Sequence, residues 1–256
     1  MARGLRSWAL AVALCAITTS CGGHDAAFGP PPPSLAASCG DTDGVHARPL
    51  WLHASDGQRL YAISGGSGHT GILLVPESPP GSVCGWLPYI KTLEDAPLRV
   101  LSIDYRGTGN SAVEPGRAAH AFGRDLSAAV DQLRADGATK IILLGASFGG
   151  AAAMRYGPTL PVDGVVSLSG ETALPEYGVD AIRELPHLHL PLLIVGSRND
   201  SYLSVGAARR LLRRAGTKDK QLKIFPGSWQ GWEIVEEAPY ASRARTTILD
   251  WIHSHD

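Results

Sequence analysis

The sequence has no excess of charge of either sign and no internal repeat. Its 23 Lys and Arg nearly balance its 24 Asp and Glu, so the formal net charge is −1. A nucleic-acid-binding domain normally presents a strongly basic face, and nucleic acid is therefore not an expected partner. Hydrophobic residues make up 44% of the 256 positions and charged residues 18%, which predicts one sizeable globular domain with an ample core.

The apolar run near the N-terminus is too short to cross a bilayer as a helix. Arg3 and Arg6 precede this run, Trp8–Thr19, and small residues follow it, a pattern that is typical of an export signal. We therefore expect residues 1–20 to be a signal peptide that is removed from the mature protein.

The residues around the end of this signal, with the sequence TTSCGG, resemble a bacterial lipoprotein processing site. The resemblance implies that Cys21 becomes the lipidated N-terminus and anchors the chain on the outer face of the bacterial cell membrane, because several acyl chains together bind stably. Thr18 stands where such sites usually have Leu, and the alternative is an ordinary signal peptide and a secreted protein. Residues 21–48, with four consecutive prolines, are expected to form a tether, and residues 49–256 the folded domain.

If the chain is exported, only two of its four cysteines are available to form a disulfide. Cys15 leaves with the signal peptide and Cys21 is committed to lipid, which leaves Cys39 and Cys84 together in an oxidising compartment. We expect these two residues to form a disulfide. The alternative is two buried free thiols, which are less common outside the cytosol.

From Trp51 onward the chain alternates short apolar runs with helical patterns. Asp56-Gly57 lies between two β-like runs and predicts a hairpin. Helical patterns begin at Arg124 and Gly206, and a glycine suited to a helix C-terminus closes each of them. Continuous apolar strands separated by helices predict an α/β fold with a mostly parallel sheet covered by helices on both faces. The predicted strands after the hairpin are 71–75, 99–104, 140–145, 164–169, 191–196 and 222–225.

A serine follows one of these strands in a glycine-rich turn. The strand at 140–145 runs into Gly145-Ala146-Ser147-Phe148-Gly149, and the G-x-S-x-G spacing is typical of a strand that turns sharply into a helix with the serine held at the bend. Ser147 is therefore a candidate nucleophile. The Phe148 N–H, at the N-terminus of the following helix, is a candidate oxyanion donor. The alternative is a tight turn without a catalytic role.

With three further motifs, this turn makes the chain resemble the α/β-hydrolase superfamily, particularly its small, cap-less bacterial members related to the dienelactone hydrolases. The resemblance covers about 51–253 and implies an α/β-hydrolase fold, with a mostly parallel twisted sheet of about eight strands. The further motifs are DYRGTGNS at 104–111, VVSLSG at 165–170 and LLIVGSRND at 192–200.

The resemblance also implies where the acid of the catalytic triad lies. In the superfamily this acid follows a late strand, which corresponds to Asp200, and Glu171 after an earlier strand is the fallback. Asp200 has an ordinary alternative role as the N-cap of a helix that begins near Tyr202.

The oxyanion loop of the superfamily usually reads His-Gly-X or His-Gln-X, whereas this chain has Pro76-Glu77-Ser78. The N–H of Ser78 or of Glu77 is still a candidate second donor, because a main-chain group does not depend on the side chain. A carboxylate close to the developing oxyanion would repel its negative charge and raise the energy of the transition state. An active site therefore requires the Glu77 side chain to point away.

The histidine of the triad is missing from its expected place. The superfamily loop Pro-Gly-Ser-x-His-Gly corresponds to PGSWQG at 226–231, so Gln230 occupies the histidine position. An amide cannot take a proton from serine near pH 7. Of the other histidines, only His120 is expected on the catalytic edge of the sheet, as an alternative base or, more ordinarily, as a surface histidine.

These features together predict an exported serine hydrolase that acts on small-molecule carboxylic esters through Ser147, with an incomplete triad. The alternative is an inactive hydrolase fold that binds a small ligand or a protein partner at the cell envelope. Neither a cofactor nor a metal is expected, because the histidines lack the spacing of metal ligands.

Overall fold

The computed structural model describes Met1, residues 30–114, residue 116 and residues 120–256. The predicted signal peptide beyond Met1 and the predicted lipidation site Cys21 lie outside the described residues. A compact unit spans Pro32–Asp256, so the last part of the predicted tether belongs to this unit. Among the described residues, no helix has both the length and the hydrophobicity that crossing a membrane requires.

One sheet of eight strands forms the centre of the compact unit. The strands are β1 (Arg48–His53), β2 (Arg59–Gly66), β3 (Thr70–Val75), β4 (Leu98–Ile103), β5 (Lys140–Ala146), β6 (Gly164–Leu168), β7 (Leu192–Ser197) and β8 (Lys220–Phe225). Their spatial order is β1-β2-β4-β3-β5-β6-β7-β8. β2 is antiparallel to β1 and β4, and the other neighbours are parallel. The predicted sheet is confirmed, and so is the hairpin at Asp56-Gly57, which joins β1 to β2.

The helices are α1 (Leu35–Cys39), α2 (Leu87–Glu94), α3 (Phe122–Ala135), α4 (Phe148–Tyr156), α5 (Ala181–Glu184), α6 (Val205–Arg214), α7 (Glu233–Glu236) and α8 (Ala241–Ser254). A 3₁₀ turn, Val83–Trp86, leads directly into α2. Three more such turns are Gly157–Thr159, Pro175–Tyr177 and Leu185–His187.

The central strands are buried on both faces because their side chains alternate between two packed layers. In β3, Leu73 belongs to the layer that contains the buried faces of α3, α4 and α6, whereas Ile72 and Leu74 belong to the layer of α2, α7 and α8. All six residues of β3 are buried. A strand covered on both faces reads as a continuous apolar run, which is why this part of the sequence predicted the fold class correctly.

The carboxyl ends of the parallel strands meet at one edge of the sheet. Val75 at the end of β3 is in register with Gly145 in β5, and Ser197 at the end of β7 is in register with Phe225 at the end of β8. The segments that follow β3, β5, β7 and β8 therefore lie at this edge, where open α/β sheets place their functional groups.

A buried ion-pair network fixes the loop after β4. Arg106 is 2% exposed, and its guanidinium lies 2.6 Å from Asp125 in α3 and 2.9 Å from Asp56 in the β1–β2 turn. The hydrogen bond from Arg106 holds the pKa of Asp56 well below its usual range. Removing one partner would leave a buried charge uncompensated, so the network stabilises the positions of the turn, the loop and α3.

Helix α1 attaches the segment before β1 to the rest of the unit. Ser34 caps the helix by accepting a hydrogen bond from the Ala37 N–H at 3.1 Å, and Leu35 is buried in the same layer as α2. Cys39, the last residue of α1, forms a disulfide with Cys84 in the 3₁₀ turn before α2. The predicted disulfide is therefore present.

The double variant Cys39→Ser with Cys84→Ser should have a free energy of unfolding lower by about 4 kcal/mol, because the bridge links residues 45 positions apart and restricts the unfolded chain. Urea unfolding with and without a reductant measures this difference. The reductant should destabilise the wild type and leave the double variant unchanged. Equal stability of the two proteins under oxidising conditions would contradict the expectation.

Candidate active site

Ser147 lies at a sharp bend between β5 and α4. Its backbone has φ 50° and ψ −116°, a left-handed conformation that residues other than glycine rarely adopt. The Ser147 N–H donates to the Leu168 carbonyl oxygen at the end of β6, at 2.8 Å, which fixes the bend against the neighbouring strand. The residue is 8% exposed. The bend predicted from the G-x-S-x-G spacing is therefore present.

The bend requires glycine at positions 145 and 149. At each position, other backbone atoms occupy the space that a Cβ would fill. A Cβ on Gly145 would overlap the carbonyl group of Gly149, and a Cβ on Gly149 would overlap the carbonyl oxygens of Val75 and Pro76. The start of α4 thus lies directly against the segment that follows β3. This contact brings the loop at residues 76–78 beside the turn that holds Ser147.

The predicted main-chain donors for an oxyanion lie in these two segments. Phe148 is the first residue of α4, and the first N–H groups of a helix have no intrahelical partner. In the described part of the chain, the N–H groups of Glu77 and Ser78 donate to no other residue. All three predicted donors therefore have N–H groups that remain available for a substrate oxygen.

The Glu77 side chain is turned toward the loop after β8. Its Oε1 accepts a hydrogen bond from the Trp232 main-chain N–H at 3.1 Å, and a Cβ on Gly231 would overlap the same oxygen. Its carbonyl oxygen accepts from the Tyr105 hydroxyl at 2.8 Å. Sequence reasoning assigned this residue only a main-chain role and missed its position next to Gln230.

The protonation of Glu77 is strongly perturbed. The pKa of its carboxyl is raised to about 7, chiefly by burial and to a lesser extent by the charges of Glu233 and Asp200, while the hydrogen bonds from Trp232 act in the opposite direction. Glu77 also lines a cavity of about 270 Å³, whose wall includes Ser78, Gly85 and Trp232. The carboxyl therefore changes charge near neutral pH beside a cavity at the carboxyl edge of the sheet.

Asp200 follows β7 at the same edge. It is 7% exposed, and its Oδ1 accepts from the main-chain N–H groups of Tyr202 and Leu203 at 2.8 and 2.9 Å. The buried Oδ2 has no partner among the described residues. Asp200 is not a helix N-cap, because α6 begins three residues later than expected and Ser204 caps it.

Gln230 follows β8, in the loop that approaches Glu77. Its main-chain N–H donates to the Glu233 carboxylate and its carbonyl oxygen accepts from the Glu233 N–H, both at 3.1 Å. The side-chain Nε2 is buried and has no partner within the described residues. Gln230 and Asp200 thus each keep one buried polar atom unsatisfied, where a histidine and an aspartate would form a hydrogen bond.

The structure does not bring His120 to the other candidates. The side chain is exposed, its ring centroid lies 5.9 Å from that of Phe122, and it lines a different cavity of about 510 Å³ that contains neither Ser147 nor Gln230. The alternative acid Glu171 is partly buried, and burial, together with the charges of Glu176 and Asp200, raises its pKa. Among the described residues, no group of three or more His, Cys, Asp or Glu is arranged to hold a metal ion.

The variant Gly149→Ala should lower the free energy of unfolding by about 3 kcal/mol, because its Cβ would overlap the Val75 carbonyl oxygen. The matched control is Gly206→Ala in α6, where the nearest atom to a new Cβ is 3.9 Å away. The free energy of unfolding of Gly206→Ala should be higher by about 0.5 kcal/mol, because alanine has a higher helix propensity than glycine. Thermal or urea unfolding of both variants tests the pair, and equal effects would show that the close approach at Gly149 is unimportant.

Comparisons with known proteins agree with this architecture. The model of the alpha/beta hydrolase family matches residues 72–256. A curated relative, described as a putative monoglyceride lipase of Schizosaccharomyces pombe, is 29% identical over 94 residues, which are 37% of this chain and 25% of the relative. The chain thus spans about a quarter of the length of that relative.

Solved structures with a similar fold include two esterases and one lipase. The esterase of Pyrococcus furiosus has 17% identity and a TM-score of 0.66, with 82% of this chain and 93% of that chain covered. The esterase of Thermogutta terrifontis has 18% identity, a TM-score of 0.66 and coverage of 82% and 100%. The monoacylglycerol lipase of Paleococcus ferrophilus has 19% identity, a TM-score of 0.63 and coverage of 77% and 99%. The family model covers well over half of the residues, and the chain therefore belongs to the alpha/beta hydrolase family.

Proposed function

We propose that the protein hydrolyses small-molecule carboxylic esters with Ser147 as the nucleophile. The observation that carries this proposal is the strained bend that holds Ser147 between β5 and the N-terminus of α4. Its hydroxyl makes no hydrogen bond within the described residues, so it is not occupied by a structural role. Strain of this kind is found where a reactive group is held ready for reaction.

The proposed reaction begins when Ser147 Oγ attacks the ester carbonyl carbon. The Phe148 N–H and the N–H of Ser78 or Glu77 stabilise the negative charge that develops on the carbonyl oxygen. The alcohol then leaves, and water hydrolyses the acyl-enzyme to release the acid. Asp200 corresponds to the acid of the triad, although this chain has no imidazole at position 230 for it to orient.

The relatives support the class of substrate. The solved structures of similar fold are described as esterases and as a monoacylglycerol lipase, and the curated relative as a putative monoglyceride lipase. All of these names refer to the hydrolysis of carboxylic esters. We extend this class to the present chain, and the acyl length is left to experiment.

A second candidate function is binding without turnover, and Gln230 is the observation that favours it. An amide in the histidine position cannot act as a base, and the unsatisfied atoms of Gln230 and Asp200 indicate that the usual triad is not assembled. An inactive site of this kind would bind a small ligand or a protein partner at the cell envelope.

The variant Ser147→Ala should lower the kcat for hydrolysis of a short p-nitrophenyl ester by a factor on the order of 10³ and should abolish labelling by a fluorophosphonate. Ser169→Ala is the matched control. Ser169 also has a positive φ, of 52°, directly after a parallel strand, but it is fully buried, so its variant should keep the activity.

The two candidate functions give different results in this assay. An inert wild type that gains Ser147-dependent turnover in Gln230→His would contradict the proposed hydrolysis and favour the binding function.

We further propose that the protein is exported and anchored by lipid on Cys21, on the basis of the N-terminal signal pattern. Produced in a bacterium, the full chain should partition into the detergent phase of a Triton X-114 extraction. Cys21→Ala should move it to the aqueous phase. Aqueous partitioning of the wild type would favour a secreted protein instead.

A further inference from the structure

The proposed hydrolysis requires a base, and none of the usual groups is present at position 230. The proton on the Ser147 hydroxyl must be taken up as the Oγ–carbonyl bond forms, because a neutral hydroxyl is a weak nucleophile. Gln230 has no basic lone pair for this purpose, and His120 is exposed in a cavity that no other candidate residue lines. A substitute must therefore lie close to Ser147 and must change its protonation near neutral pH.

The Glu77 carboxylate lies beside the loop at 230–232 and near Ala146, the residue before Ser147. A Cβ on Gly231 would overlap Glu77 Oε1, and the same point is only 3.6 Å from the Cβ of Ala146, the residue before Ser147. The main chain just before Glu77 contacts Gly149, two residues after Ser147. The carboxylate is thus next to the nucleophile turn on one side and next to the histidine position on the other.

The sequence of the loop after β8 makes room for this carboxylate. Gly231 has φ 54°, and any side chain there would occupy the place of Glu77 Oε1. The Trp232 main-chain N–H donates to the same oxygen at 3.1 Å, which orients the group. A carboxylate has several acceptor sites, so this bond does not prevent it from accepting the serine proton.

We propose that Glu77 is the general base that takes the proton from Ser147, in place of the missing histidine. This role rests on the proposed hydrolysis. As Ser147 Oγ bonds to the ester carbonyl carbon, its proton moves to the carboxylate, directly or through one water. The resulting carboxylic acid donates the proton to the leaving alkoxide. In the second half, the ionised carboxylate takes a proton from the attacking water and returns it to Ser147 Oγ.

The surroundings of Glu77 suit this role. The titratable groups that face it are Glu233 and Glu236 on α7, Asp200 after β7 and Tyr105 after β4. The pKa of Glu77 is raised to about 7, first by burial and then by the acids Glu233 and Asp200. Only the ionised form accepts a proton, so kcat/KM should rise with pH through about 7 and then level off.

The test compares wild type, Glu77→Gln and Glu236→Gln on a short p-nitrophenyl ester across the pH range. Glu236 is the matched control because it is also partly buried, accepts one main-chain N–H, from Tyr89, and has its pKa raised, to about 8. Glu77→Gln should lose about 10²- to 10⁴-fold in kcat with little change in KM, and the inflection near pH 7 should disappear. Glu236→Gln should retain the rate and a pH inflection, and the inflection should move only slightly, toward lower pH, because one acid that faces Glu77 is removed.

A conservative variant guards against a loss that arises only from misfolding. Glu77→Asp keeps a carboxylate and should retain part of the activity with a pH dependence, whereas Glu77→Gln keeps the shape and should show the full loss with no pH dependence. Thermal unfolding of each variant shows whether it is folded. If both variants are folded and Glu77→Asp is as inactive as Glu77→Gln, the role as a base is wrong.

The outcomes separate this inference from the proposed function. Turnover that is lost in Ser147→Ala but unchanged in rate and pH profile in Glu77→Gln would overturn the role of Glu77 and leave the hydrolysis standing. A wild type without any Ser147-dependent turnover would overturn the proposed function, and the base with it.

Discussion

The close approach of Gly149 to the carbonyl oxygens of Val75 and Pro76 is the constraint on which the candidate site depends. It presses the start of α4 against the segment after β3. As a result, the loop at residues 76–78 lies beside the turn that holds Ser147 and begins α4 at Phe148. The absence of one Cβ therefore brings the proposed nucleophile, Ser147, beside the segment that carries Glu77 and the proposed oxyanion donors.

The fold and the position of Ser147 could be predicted because both depend on local patterns. Strands covered on both faces need a continuous apolar run, as in β3, and a strand that turns sharply into a helix needs glycines at fixed spacing, as at Gly145 and Gly149. The disulfide followed from the small number of cysteines. The resemblance predicted Asp200 as the triad acid, and the structure places it three residues after the end of β7, where its carboxylate accepts from the N–H groups of Tyr202 and Leu203.

The position of the Glu77 side chain could not be predicted, because it depends on a contact with Trp232, 155 positions away in the chain. From the sequence, an acid in this loop appeared only as a charge that would oppose an oxyanion. In the folded protein the Glu77 carboxylate contacts the loop after β8, where Gly231 leaves space for it. Helix α1 was missed for a different reason: it has only five residues and is held by Leu35, Ser34 and the disulfide rather than by a periodic pattern.

The loop at position 230 is held by its main chain. Both hydrogen bonds between residue 230 and Glu233 use the backbone of residue 230, so they form with any side chain at that position. The buried network of Arg106 and the bridge from Cys39 also lie outside the loop. A substitution such as Gln230→His therefore keeps both of these contacts, so the loop can carry a different side chain at position 230 without a compensating change in its main-chain hydrogen bonds.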